Sequence, residues 1–192
     1  SLASNYTISN VSCHGDSTGE ANGQIIGGVP NYNVTSPVFG QNVNLPGGFF
    51  GTGPVIPAGS YPYLITDGNG CIYQDTIIIT QPNPISSIPN LSNYNGYNIS
   101  CNGGNNGSVT LTITGGTAGY TQDWGGVVNT DSLYAGIYSY TVTDNNGCTL
   151  SDSVTITEPM ELISNLNPIN LSCYNSCDGE ISVQVSGGVP TY

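Results

Sequence analysis

The chain repeats itself, and no other feature constrains its fold as strongly. Three segments open on a cysteine and align without gaps: CHGDSTGEANGQIIGGVPNY from Cys13, CNGGNNGSVTLTITGGTAGY from Cys101 and CYNSCDGEISVQVSGGVPTY from Cys173. Each cysteine precedes a Gly-Gly pair by 14 residues (Gly27, Gly115, Gly187) and a tyrosine by 19 (Tyr32, Tyr120, Tyr192). A second block recurs as well. AGSYPYLITDGNGCIYQDTIIITQP from Ala58 matches AGIYSYTVTDNNGCTLSDSVTITEP from Ala135. Recurrence on this scale predicts small modules stacked on one another. The bounds that follow are a first repeat at 1–85, a second at 91–162, and the first third of another at 163–192. The first repeat is longer by an 11-residue insertion between Tyr32 and Ala58.

Each module reads as all-β. SVTLTIT alternates Val109, Leu111 and Ile113 against Thr110, Thr112 and Thr114, the period of a half-buried strand. YSYTVT sets Tyr138, Tyr140 and Val142 on one face, and Tyr61, Tyr63 and Ile65 repeat the pattern. TDGNGC and TDNNGC carry the Asp, Asn and Gly that a tight hairpin needs. No segment has helical periodicity with caps. Short strands with frequent turn signals predict tandem small antiparallel β-sandwiches, Ig-like in build, in an elongated array. Tyr61 and Tyr138 stand where a tyrosine corner would, or are two core tyrosines.

What is missing narrows the function. Lys and Arg are absent against 12 Asp and Glu, for a net charge of −12. Nucleic-acid binding and phosphate clamps need cations, and an anionic membrane surface repels this charge. A single histidine, His14, leaves no multi-histidine zinc site and little for a Ser/His/Asp triad. The expectation is a protein that is not an enzyme, with no nucleic-acid partner and no membrane insertion. Six cysteines in so uncharged a chain predict an oxidising compartment. The opening at Ser1 and the stop inside a motif predict the interior of a longer mature protein.

The ordered set of opening Cys, Gly/Asn-rich turn, TVT-type strand, GG, aromatic, AGxYxYxVTDxxGC and closing TITxP resembles the SprB repeat. That family builds large surface adhesins of gliding Bacteroidetes-type bacteria. The resemblance covers residues 95–161 fully and 5–84 with the insertion, where Ser36 stands at the place of Trp124. It implies an extracellular, cell-surface location, export across the outer membrane by the type IX route, and adhesion during gliding. The function expected is that of stalk repeats in such an adhesin. The alternative is a polysaccharide-binding module contacting glycan through exposed aromatics. Expected partners are neighbouring repeats, surface polysaccharide, and the gliding and secretion machinery through other parts of the chain.

Candidate sites are few. Cys13 is expected to bond Cys71, and Cys101 to bond Cys148, because both pairs recur at equivalent positions; reduced core cysteines are the competing reading. In similar repeats a CxxxC opening accompanies a further cysteine, so Cys173 and Cys177 are expected to pair beyond residue 192 rather than with each other. Phe49 and Phe50, in the Gly/Pro-rich insertion, form a candidate binding loop. Alternatively they fold back over the core where the Trp is missing. Asp16, Asp75, Asp131 and Asp152 each precede a hydroxyl in a pattern resembling the Bacteroidetes O-glycosylation acceptor. Thr76, Ser153, Ser132 and Ser17 are therefore glycosylation candidates, and strand parity turns Thr76 and Ser153 outward. No cofactor is expected. Calcium between modules is the one metal left open, without a DxDxDG loop to hold it, and Asp67 and Asp144 read better as Asx turns.

Overall fold

The computed structural model describes residues 1–53 and 55–192, with the backbone alone for 40–43. Among these residues there are strands and turns and no helix. The first repeat contributes β1 (Ala3–Ser9), β2 (Glu20–Ile26), β3 (Tyr32–Ser36), β4 (Gly40–Leu45), β5 (Phe49–Gly51), β6 (Gly59–Thr66) and β7 (Ile72–Ile79). The second contributes β8 (Ser86–Leu91), β9 (Val109–Thr114), β10 (Thr121–Asp123), β11 (Gly136–Thr143) and β12 (Thr149–Ile156). β13 (Ile163–Ile169) and β14 (Glu180–Ser186) follow.

The first repeat is two sheets, β1-β2-β5 and β4-β3-β6-β7. Its core takes Ala21, Ile25 and Phe50 from one sheet and Val34, Tyr63, Ile65, Ile77 and Ile79 from the other. That is a sandwich built from the inward half of each alternating strand. Ile65, Ile77 and Val34 are fully buried, each contributing roughly 1.5–3 kcal/mol by area. The second repeat keeps the plan in smaller form, with β8-β9 and β10-β11-β12. Val109, Val154 and Ile156 lie in its core, with Leu91, Leu111, Trp124 and Tyr138 packed against them.

The insertion widens both sheets. β4 adds to β3, pairing Tyr32 with Leu45, and β5 adds to β2, pairing Asn22 with Gly51. What looks in the sequence like one loop is thus an edge strand for each layer.

The Gly-Gly and tyrosine at fixed spacing also have a physical reason. Tyr32 Oη donates to Gly27 O at 2.8 Å and Tyr120 Oη to Gly115 O at 2.5 Å; Tyr192 bonds Gly187 O likewise. Both glycines of each pair have positive φ, for example 76° at Gly115 and 55° at Gly116, which side chains disfavour. A Cβ on Gly115 would also overlap Pro84 O, so the linker lies against the turn. Tyr61 and Tyr138 donate four residues back, to Pro57 O at 2.7 Å and Tyr134 O at 3.0 Å. Both make the upstream backbone bond of a tyrosine corner.

By its contacts the chain divides into two compact units. One is Ser1–Ser86 with Thr114–Thr121 and Thr143–Thr149; the other is Ser87–Ile113, Gln122–Val142 and Leu150–Tyr192. The Gly-Gly turn and the TDNNGC turn of the second repeat therefore pack within the first unit.

Candidate functional site

Cys13 follows β1 in a turn tied to the C-terminal end of β7. Val11 N donates to Thr80 O at 2.9 Å, Gly15 N to Gln81 Oε1 at 2.8 Å, and His14 Nδ1 lies 3.0 Å from Pro82 O. Cys71 stands at the other end of the same strand, behind the TDGNGC turn. β7 is eight residues long, which at ~3.3 Å per residue separates the two cysteines by about 26 Å. A disulfide needs Cα atoms within about 4.4–6.8 Å. The expected Cys13–Cys71 bridge is therefore wrong.

The expected Cys101–Cys148 bridge fails in the same way. Gly103 N bonds Glu158 Oε2 at 2.6 Å and Asn102 Nδ2 bonds Pro159 O at 3.0 Å, at the C-terminal end of β12. Cys148 immediately precedes that strand's first residue. The bond that forms joins the two repeats: Cys13 to Cys148, with S–S 2.01 Å and Cα–Cα 5.6 Å. Beside it Asn146 Nδ2 donates to Ser12 O at 3.1 Å. Cys71, Cys101, Cys173 and Cys177 are exposed thiols. The signal was present in the sequence as the length of the strand between TDxxGC and TITxP, which places the two cysteines of one repeat at opposite ends.

The aromatic pair of the insertion divides. Phe50 is 6% exposed and Phe49 is 66% exposed. Phe50 meets Phe39 edge-on at 5.1 Å and lies 5.7 Å from Tyr63, tilted by 39°. In the second repeat Trp124 lies 4.8 Å from Tyr140, tilted by 40°. Tyr63 and Tyr140 are equivalent, so Phe50 supplies from β5 the ring that Trp124 supplies after β10. Ser36, at the Trp position, is buried and its Oγ accepts from Val38 N at 3.3 Å. Phe50 therefore folds back into the core, as the alternative expected where the Trp is missing. Phe49 remains on the surface, in a shallow groove with Asn5, Tyr6, Asn22 and Gln24.

Asp67 and Asp144 organise both hairpin turns. Asp67 Oδ1 accepts from Asn69 N at 3.0 Å and Cys71 N at 2.8 Å, while Oδ2 accepts from Val29 N at 3.0 Å. Asp144 accepts from Asn146 N and Cys148 N at 2.9 Å and from Thr117 N at 2.8 Å. The amide of Val29, then that of Cys71, holds the Asp67 carboxyl below the usual range despite burial. For Asp144 burial pushes upward and is outweighed by the amides of Thr117, Cys148, Asn146 and Gly147. One carboxylate thus ties the TDxxGC turn to the Gly-Gly turn, as Asx geometry allows.

Two grooves occupy equivalent places on the two repeats. One is lined by Pro62, Tyr63, Gln74, Asp75 and Thr76, the other by Ser139, Tyr140, Ser151, Asp152 and Ser153. Ser4 Oγ lies 2.7 Å from Tyr63 Oη and Ser87 Oγ lies 2.8 Å from Tyr140 Oη. Burial pushes the Tyr63 hydroxyl up to about 12, so it stays protonated. Thr76 is half-buried and Ser153 exposed, each with its amide on the preceding aspartate at 2.7 Å. Ser17 and Ser132 are exposed, and Ser132 Oγ bonds Asn105 O at 3.3 Å. Among the described residues no three of His, Cys, Asp and Glu gather as a metal site would require, and no helix is long and apolar enough to cross a membrane.

No curated protein matches the chain. Two of its regions do match a family model, and they are equivalent stretches of the second repeat and the partial third. Residues 94–129 and 165–192 are each matched by the model of the SprB repeat.

Proposed function

We propose that this chain is a run of structural stalk repeats from a secreted bacterial cell-surface adhesin that serves attachment and gliding. The observation that carries the reading is the Cys13–Cys148 bond, which spends a cysteine of each repeat on the join between them rather than on either core. A binding module gains nothing from such a join, whereas a load-bearing array does. The match to a cell-surface repeat family and the oxidised cysteine pair fit an extracellular position. Export across the outer membrane and coupling to the gliding machinery belong to the same reading. The absence of Lys and Arg removes every trypsin-type cleavage site, and a charge of −12 keeps neighbouring fibres apart. O-linked sugar on Thr76 and Ser153 would shield the two equivalent grooves, and intact-mass measurement of protein from the native host reads it directly.

One observation favours the alternative of glycan binding: Phe49 is exposed beside Tyr6 in a groove with amide side chains. A polysaccharide array probed with the 192-residue chain separates the two. The stalk reading expects no saturable binding. Saturable binding that Phe49→Ala abolishes overturns it in favour of a glycan-binding module.

A further inference from the structure

The Cys13–Cys148 bond follows a rule that can be written in repeat positions: the opening cysteine of one repeat joins the TDxxGC cysteine of the next. We propose that this rule runs through the array. Cys101 is then the partner of the TDxxGC cysteine of a following repeat, and Cys71 is the partner of the opening cysteine of a preceding one. The inference stands on geometry alone and holds whether or not the array is an adhesin stalk.

The opening turn is the same wherever it occurs. Asp16 N bonds Cys13 O at 3.2 Å, Gly104 N bonds Cys101 O at 3.0 Å and Ser176 N bonds Cys173 O at 3.1 Å. The residue before each cysteine is a serine whose amide is held by a side chain six residues on: Thr18, Asn106 and Asp178, all at 3.1 Å. Cys101 is thus presented as Cys13 is, and it is an exposed thiol.

The receiving turn is also the same. Cys71 and Cys148 both donate their amides to the turn aspartate, at 2.8 and 2.9 Å. The Asn two residues earlier, which reaches Ser12 O from position 146, has its counterpart in Asn69. The linker seats alike as well. Gly116 N bonds Asn83 O at 2.8 Å, and Gly188 N bonds Met160 O at 2.8 Å. A third repeat therefore engages the second linker as the second repeat engages the first, which is the approach that would bring a TDxxGC turn to Cys101.

Each bridge forms when two thiols give up two protons and two electrons to a disulfide oxidant, an oxidised dithiol protein or a small disulfide. Through a mixed-disulfide step the oxidised dithiol protein is reduced to its dithiol, or the small disulfide to two thiols. An oxidising exterior supplies that class of reagent.

The experiment compares the 192-residue chain with one extended by a copy of residues 121–159 after Tyr192, which completes the third repeat with its own TDNNGC turn. Both are oxidised with glutathione disulfide, alkylated and mapped without reduction. The expected result is one bridge, Cys13–Cys148, in the shorter chain. The extended chain should gain a second, from Cys101 to the appended TDNNGC cysteine, and the alkylation of Cys101 should fall at least tenfold. Retention of Cys13–Cys148 reports that the junction of the first two repeats has folded. Substituting Cys101→Ser in the extended chain should leave the appended cysteine fully alkylated. Cys101 that stays alkylated in the extended chain, or that bonds Cys148 or Cys173, overturns the proposal, as does loss of Cys13–Cys148 in the shorter chain.

Discussion

The first and second repeats cover the same tyrosine with rings from different places. Trp124, just after β10, tilts over Tyr140, while in the first repeat that position is Ser36 and Phe50 arrives on the inserted β5 instead. The exchange reaches a second position. Gly23 stands where the second repeat has Leu111, and a Cβ on Gly23 would overlap the Phe50 ring. In the first repeat a glycine leaves room for the Phe50 ring, while in the second both Leu111 and Trp124 pack against the core. The module thus requires a filled volume over this tyrosine, and not a particular residue at a particular alignment column.

The largest expected effect concerns what the two repeats share. Cys148→Ser opens a loop whose ends are 135 residues apart, worth up to about 5 kcal/mol on the chain-entropy model. Cys71→Ser and Cys101→Ser should stay within roughly 0.5 kcal/mol, as expected of exposed positions. Calorimetric melting of the three variants checks the order; equal losses would show that the bridge does not constrain the isolated chain.

Phe50→Ala comes next, with a loss of about 3–5 kcal/mol, since a buried ring leaves a cavity. Trp124→Ala should cost less, because that ring is only half-buried. Urea titrations of the two variants would break the comparison if Trp124 proved the costlier. Gly23→Leu imports the second repeat's residue beneath Phe50 and should cost about 1–3 kcal/mol by overpacking. Combined with Phe50→Ala it should cost less than the two losses added, and a double-mutant cycle measures that coupling. Additive losses would mean that Gly23 and Phe50 are independent.

Tyr61→Phe and Tyr138→Phe each delete one hydroxyl bond to the backbone, worth about 1 kcal/mol, and the two should match. The smallest effect at neutral pH is the acid response. Asp67 and Asp144 have lowered pKa values, so the stability they contribute is complete above the unfolded carboxyl value of about 3.9. It is lost as pH falls through the lower folded values. Asp67→Asn and Asp144→Asn should therefore flatten the acid limb of a melting-temperature profile to a similar extent. A steeper limb in either variant contradicts the turn-capping role.

Much of the architecture was legible in the residues. Alternation in SVTLTIT and YSYTVT marks β9 and β11 because a strand facing one core has period two. The TDxxGC turns are readable because Asp and Gly supply local geometry that needs no distant partner. The insertion is where reading by pattern stops. GQNVNLPGGFFGTGPV has no clean alternation, and its two edge strands exist because β2 and β3 offer unpaired edges. Phe49 and Phe50 are adjacent and chemically identical, yet one is exposed and the other core, since successive residues of a strand face opposite ways.

By itself the sequence determined the repeat, the strands outside the insertion, the turns and the fixed spacing from each Gly-Gly pair to its tyrosine. All of these depend on interactions within a few residues or on one face of a strand. Tertiary structure alone decided which cysteines meet. In a repeating chain, a cysteine's equivalents in its own repeat and in the next are indistinguishable by pattern, so recurrence favours either pairing equally. The choice falls to distance. An eight-residue strand holds the two cysteines of one repeat apart, and docking of the next repeat's hairpin turn brings Cys148 to Cys13.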